Sequence, residues 1–260
     1  MTRILVIRAN EPRHRALSAR LIEGGFELNE IVEVKTGSSS SLSTLQIKHF
    51  KARQQFENDY FRYLHYDESG RATKKLHTPN VNDVQSIVFA ERCSADYIIT
   101  FGSSILKKEW IDKFRNRILG IHLGLSPYYR GSGTNFFPFV NQELGAIGFT
   151  LMNLDEGVDT GAIIHQAYAN FVQGDSIHSV GNRLLQEMYD AIVRLMQIKV
   201  DLSQSVKQPP KESGRLYRKK DFTDLALTTA LTNIQNGIID KFIDDELNQR
   251  MLFPLIKEIC

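Results

Sequence analysis

Cysteine is nearly missing from this 260-residue chain: Cys93 and the terminal Cys260 are the only two. Two thiols cannot build a disulfide framework, and their separation matches no zinc-ligand spacing, so a reducing compartment is expected. An excess of charge is missing too. Lys and Arg number 32 against 30 Asp and Glu, a net charge of +2, which argues against a dedicated nucleic-acid binder and offers no acidic tail. No apolar run approaches the roughly 18 residues of a membrane helix, and Arg3–Arg8 is too short for the apolar part of a signal peptide. After that first run there is no Gly-x-Gly-x-x-Gly and no P-loop, which disfavours a dinucleotide-dependent dehydrogenase. These absences predict a cytoplasmic protein without nucleic-acid or membrane partners.

What is present is 42% hydrophobic and 24% charged residues, enough for one sizeable core and a small appendage. Arg3–Arg8 reads as a strand buried on both faces of a parallel sheet. Pro12 suits the first turn of a helix ending near Gly24 and Gly25, and a strand follows over Ile31–Val34. Residues 38–43 are serine-rich and read as a loop. A helix over Leu45–Leu64 carries Phe50, Phe56, Tyr60 and Tyr63 at near-helical spacing, an aromatic stripe expected to serve the core or a subunit contact. A turn at 67–70, a helix over Val84–Cys93 and a strand over Ala95–Phe101 come next. The strand Arg117–Ile121 then delivers His122, and a further strand covers 162–166. Asp175 or Ser176 caps a helix running to Gln197. Pro209 to Gly214 is a linker by composition. Leu227, Leu231, Ile234, Ile238 and Phe242 mark one amphipathic helix beyond it. Alternating strands and helices predict an α/β fold with a mostly parallel, doubly wound, Rossmann-like sheet. The expected units are a catalytic domain over 1–205 and a linker with a helical extension over 206–260.

Candidate chemistry gathers between Gly120 and Gly161. His122 leaves an apolar strand at its carboxyl end, where open α/β sheets mount their sites, although an isolated histidine is as often a hydrogen-bonded core residue. Asp159 lies in Gly157-Val158-Asp159-Thr160-Gly161, where turn chemistry alone would also account for it. Gly102-Ser103-Ser104 is a small-residue turn that would let a ligand approach the backbone, or simply a link into the next helix. Ser126 lacks the second glycine of a nucleophile elbow. A metal set from His122, Asp155, Asp159 and His165 has no supporting motif, so no metal is expected.

Taken jointly, Ile121-His122-Leu123-Gly124-Leu125-Ser126-Pro127-x-x-Arg130-Gly131 and, about thirty-five residues on, Asp155-Glu156-Gly157-Val158-Asp159-Thr160-Gly161-x-Ile163-Ile164 resemble the N10-formyltetrahydrofolate-dependent formyltransferases. That family includes glycinamide ribonucleotide transformylase, methionyl-tRNA formyltransferase and the sugar-nucleotide N-formyltransferases. The resemblance implies that an amine attacks the formyl carbon of the folate co-substrate, with His122 as base or proton relay and Asp159 orienting it. It places the folate against Gly102, Ser103, Ser104, Ile105 and Leu106 on one side and Asp155, Gly157 and Asp159 on the other. One departure stands out. Where the family carries an Asn whose amide serves the oxyanion, this chain has Gly120, and losing such a donor costs about 10² to 10³ in rate. Either Asn135, a backbone amide or water substitutes, or the chain is slow or silent. The family's Trp after the Arg-Gly element is Phe137 here.

For the acceptor, the glycine-rich turn of the purine-pathway enzyme is replaced by Arg8, Asn10, Arg13 and Arg15, and the short region after Pro210 does not suit the tRNA enzyme. The expectation is a small-molecule amine, most like an amino-sugar nucleotide, with Arg8, Asn10, Tyr129, Arg130 and Asn135 at its site. The basic run Gly214–Phe222 would meet a pyrophosphate or solvent. Hydroxyornithine is an alternative acceptor, and a silent folate- or nucleotide-binding relative is the alternative class. A homodimer is expected by analogy with the resembled group.

Overall fold

The computed structural model describes residues 1–34, 42–64, 74–209 and 214–259. The serine-rich stretch to Ser41, the turn at 67–70 and the linker core at 210–213 lie outside those residues. Nine strands and nine α-helices follow in chain order among the described residues: β1 Arg3–Arg8, α1 Pro12–Glu23, β2 Glu27–Glu33, α2 Thr44–Tyr60, β3 Lys75–Thr78, α3 Val84–Cys93, β4 Tyr97–Phe101, α4 Lys108–Lys113 and β5 Ile118–His122. Then come β6 Tyr129–Gly131, α5 Phe137–Asn141, β7 Gly148–Asn153, β8 Ala162–Tyr168, α6 Ile177–Gln197, β9 Arg215–Tyr217, α7 Asp224–Gln235, α8 Ile238–Asp244 and α9 Glu246–Met251.

The main sheet has seven strands in the order β3-β2-β1-β4-β5-β7-β8. β3 through β5 run parallel, while β7 and β8 add on antiparallel. The chain leaves β1 to one side and returns to β4 on the other, so the sheet's switch point lies between β1 and β4. Ligands of open α/β sheets sit just beyond the carboxyl ends of strands at such a point. The α/β, mostly parallel, doubly wound sheet expected from the alternation is therefore present. The antiparallel edge was not expected.

Helices cover both faces. On one, α1 and α6 pack over Ile4, Val6, Ile99 and Leu119, and on the other α3 and α4 pack over Leu5, Ile7, Ile98 and Ile118 with Trp110 fully buried. Ser176 caps α6 as expected by accepting from the Ser179 N–H. β2 is longer than its apolar core suggests because its polar residues are satisfied inside: Arg8 Nε donates to Glu30 Oε1 at 2.6 Å, and Ser18 Oγ donates to the same oxygen.

Two local expectations change. Of the aromatic stripe, Phe56, Tyr60 and Tyr63 are more than a third exposed and so lie outside the core, while Phe50 is half-buried and stacks on Phe222 at 5.2 Å. The single C-terminal helix is two, α7 and α8, because Gly237 adopts φ +76° between them, a left-handed conformation that ends one helix and starts the next at a new angle. Leu227, Ile238 and Phe242 are buried while Leu231 is 40% exposed. This segment joins the main core rather than standing apart, and β9 pairs with β6 in a two-stranded sheet.

His165 in β8 anchors the far C-terminus, its Nδ1 accepting the Ile259 N–H at 3.0 Å. Burial, helped by Arg194, lowers its pKa to about 4, and burial also lowers His49 to about 4. A histidine depressed in the fold binds its proton preferentially when unfolded. The stability it lends is complete above about pH 6.5 and is lost as pH falls toward 4. Denaturant titrations are expected to show stability falling across that window, with His165→Gln flattening part of the fall. An unchanged slope in that variant would remove His165 as a contributor.

Candidate active site

β5 ends on His122, which is buried, only 5% exposed. Its Nε2 lies 2.8 Å from the Tyr129 carbonyl oxygen and its Nδ1 lies 3.3 Å from Asp159 Oδ1. A carbonyl oxygen only accepts, so Nε2 carries the proton in the neutral ring and Nδ1 is left with a lone pair facing the carboxylate. Taking a second proton at Nδ1 turns that approach into an ion pair. The ring has room for this pose because residue 124 is glycine: a Cβ there would stand 2.6 Å from His122 Nε2 and 2.7 Å from Thr134 Cβ.

Asp159 is fixed independently. The Gly131 N–H donates to its Oδ2 at 2.7 Å, and Gln208 Nε2 donates to the carbonyls of Asp159 at 3.0 Å and Gly161 at 2.7 Å. Asp159 itself adopts φ +51°, a strained setting that Asp tolerates better than most residues. Upstream, the Asp155 carboxylate accepts from the Gly157 N–H and the Thr160 hydroxyl, closing the loop. The Arg-Gly element and the Asp-containing loop, separate in the chain, are thus joined by one hydrogen bond.

Between the ends of β4 and β5 lies a cleft of about 130 Å³ lined by Thr100, Gly102, Ser103, Ser104, Ile105, Leu106, Gly120, His122, Leu154, Asp155, Gly157 and Asp159, among others. All the residues expected to hold folate meet there. Gly102 has φ +73°, and a Cβ there would strike the His14 ring. The Ser104 N–H is taken by Glu33 Oε2 at 2.7 Å, and Asn82 Nδ2 donates to the Ile105 carbonyl at 3.0 Å. Ile105 and Val158 are 61% and 44% exposed, leaving two apolar side chains at the mouth.

Gly120 is in the same cleft, and the space an amide would fill is not empty. A Cβ built on Gly120 would run into Leu154 Cδ2, with Leu154 Cγ at 2.8 Å. Asn135 does not take the amide's place: its Nδ2 donates to the Gly148 carbonyl at 2.8 Å and its Oδ1 accepts the Gly148 N–H at 3.1 Å.

The residues expected at an acceptor site are spread out. Arg8 is buried in its pair with Glu30, its Nη1 also donating to the Ala9 carbonyl and Asn10 Oδ1. Tyr129 is buried with its hydroxyl bonded to Glu143, Asn141 and Arg215, and burial pushes its phenol up. Arg130 is buried in β6, and Asn10 is exposed at the carboxyl end of β1. Arg13 pairs with Glu57, and Arg15 with the Asn10 carbonyl. In the basic run, Arg215 binds Glu143 through both terminal nitrogens, while Arg218, Lys219 and Lys220 are exposed. Ser126 is fully buried, which removes it as a nucleophile. Among the described residues no group of three or more His, Cys, Asp or Glu could hold a metal, and no helix is long and apolar enough to cross a membrane.

Sequence reasoning missed Gln208, Thr100 and Leu154. Gln208 carried no signal. Thr100 could have been found as the polar residue near the end of an apolar strand, and Leu154 as the apolar residue opening the acidic loop.

A histidine at the carboxyl end of β5 and a carboxylate from the loop after β7 thus meet at one cleft of a doubly wound sheet. The family model described as formyl transferase matches residues 38–196, and the chain belongs to that family. Methionyl-tRNA formyltransferase from Finegoldia magna is 27% identical over 128 residues, 49% of this chain and 37% of that protein. The dTDP-4-amino-4,6-dideoxyglucose formyltransferase from Mycobacterium tuberculosis is 31% identical over 109 residues, 42% of this chain and 45% of that protein. The matches therefore span less than half the length of these relatives. Among solved structures, the formyltransferase PseJ from Anoxybacillus kamchatkensis, in complex with UDP-4,6-dideoxy-4-formamido-L-AltNAc and tetrahydrofolate, superposes with a TM-score of 0.51 at 18% identity, covering 84% of this chain and 87% of that one. At that identity the likeness speaks for the fold alone.

Because Leu154 occupies the space beside Gly120, Gly120→Asn is expected to destabilise the protein by about 1–3 kcal/mol, as overpacking does. Leu154→Ala in the same chain should relieve most of that cost, so the two changes should be strongly non-additive in thermal denaturation. Additive effects would show that the side chains do not compete.

Proposed function

We propose that this chain transfers a formyl group from N10-formyltetrahydrofolate to the amine of a small molecule, most like an amino-sugar nucleotide. The observation that carries the reading is the His122–Asp159 pair at the mouth of a cleft whose opposite wall is the Gly102–Leu106 turn. The cleft suits the co-substrate in kind. Gly102 makes the left-handed turn that shapes one wall, its bare side taken up by His14, and Ile105 and Val158 offer apolar cover. At about 130 Å³ it is smaller than a cavity that swallows a whole ligand of this size. A ring enters and the remainder lies along the open surface.

The residues then divide the work. The amine lone pair forms the new C–N bond while the carbonyl pair moves onto oxygen. His122 Nδ1 takes the amine's proton, and Asp159 Oδ1 stabilises the resulting imidazolium. Tyr129's carbonyl keeps the other ring nitrogen protonated throughout. When the carbonyl reforms, the bond to the folate nitrogen breaks and His122 returns a proton to that nitrogen.

An amino-sugar acceptor is supported by the dTDP-4-amino-4,6-dideoxyglucose formyltransferase among the relatives. A homodimer in the cytoplasm completes the reading. One observation favours a second reading, a silent folate-binding relative: the Gly120 position offers no amide, and Leu154 stands in its space.

His122→Ala should abolish transfer to a panel of dTDP- and UDP-amino-sugars, at least about 10²-fold, while tetrahydrofolate affinity by calorimetry stays within a few fold. Asp159→Asn should lower kcat because the imidazolium loses its counter-charge. Wild-type turnover in His122→Ala would end the assignment. Folate binding without turnover in the unaltered protein would favour the silent relative.

A further inference from the structure

Side chains on the His122 face of the sheet stand in cross-strand rows. Thr100 in β4 is register-paired with Gly120 in β5, and Gly120 with Met152 in β7; residues paired in this way point to the same face. The row next to His122 therefore runs Thr100, Gly120, Met152, and Leu154 folds over its bare middle. Its one hydrogen-bond donor is Thr100. That residue is 9% exposed and lines the cleft together with His122 and Leu154. Among the described residues its hydroxyl has no hydrogen-bond partner, and it is not one of the fully buried polar atoms. The other side-chain hydroxyls at the cleft, Ser103 and Ser104, sit beyond the strand end in the turn.

We propose that the Thr100 hydroxyl donates to the oxyanion that develops on the formyl oxygen, supplying from β4 the hydrogen bond that the family's amide would supply from the position of Gly120. Leu154 closes the vacated space against water, so the donor works in an apolar setting where such a bond is strongest. The assignment rests on the formyl-transfer reading. No atom is transferred by Thr100: the oxygen gains the carbonyl pair, accepts the hydroxyl's hydrogen bond, and gives the pair back as the bond to the folate nitrogen breaks.

The test uses binding rather than turnover. Two folate analogues with carbon in place of the formyl-bearing nitrogen are titrated by calorimetry, one carrying an aldehyde that hydrates to a gem-diol and one carrying a methyl group. The unaltered protein is expected to prefer the gem-diol by about tenfold or more, the worth of one well-aimed hydrogen bond. Thr100→Ser should keep that preference within about threefold. Thr100→Val should lose most of it while binding the methyl analogue as before, and Thr100→Ala serves the same purpose should the valine chain fail to fold. An unchanged preference in the donor-free variant overturns the role of Thr100 alone. No preference in the unaltered protein overturns it as well. Failure of the unaltered protein to bind either analogue removes the folate reading together with it.

Discussion

The hydrogen bond from the Gly131 N–H to Asp159 is the contact on which the site depends. Without it the carboxylate would sit on an acidic surface loop with every reason to turn toward water. With it, one oxygen is fixed to the backbone of β6, and the other faces His122 Nδ1. β6 is in turn placed by pairing with β9, and a Cβ at Gly131 would collide with the Tyr217 carbonyl. The alignment of the pair is therefore passed through a three-residue strand to the segment following the linker. The C-terminal region also belongs to the same core as the sheet, Leu227 and Phe242 being buried in one cluster with Ile4 and Val6.

The same logic explains which parts could be read from sequence. The His122 and Asp159 elements were legible because two linked patterns at one separation seldom arise together, and the fold brings the two side chains within 3.3 Å. The doubly wound sheet was legible because its central strands are short apolar runs between helices. The antiparallel β7 and β8 were not, since an apolar run looks alike in either direction. β2 was seen only in part because Asn29, Glu30 and Glu33 break its apolar pattern although all three are buried. Their partners lie far away: Arg8 for Glu30, the Lys74 N–H for Asn29 and the Ser104 N–H for Glu33.

Arg8 shows the limit most clearly. An arginine at the carboxyl end of the first strand reads as a hand held out to a ligand, and the fold closes it on Glu30 instead. Removing one partner of such a buried pair leaves an unpaired charge and typically costs about 3–5 kcal/mol, so the pair acts as structure. The surrounding cations follow suit: Arg13 and Arg53 share Glu57 and Glu11. A phosphate arriving at the end of β1 would find Arg8, Arg13 and Arg53 already paired with carboxylates, and would have to displace one to reach them.

The cleft is the opposite case. Its walls were laid down by strand register, which puts Thr100, Gly120 and Met152 side by side on one face. Neighbouring strands are only about 4.8 Å apart, so a polar group removed from one can be answered by another on the next without moving the backbone. A motif read along the chain sees the loss at Gly120 as the loss of a function. Read across the sheet, the same position has an apolar plug from Leu154 above it and a hydroxyl beside it, and the question of what the site can do passes from one residue to a row.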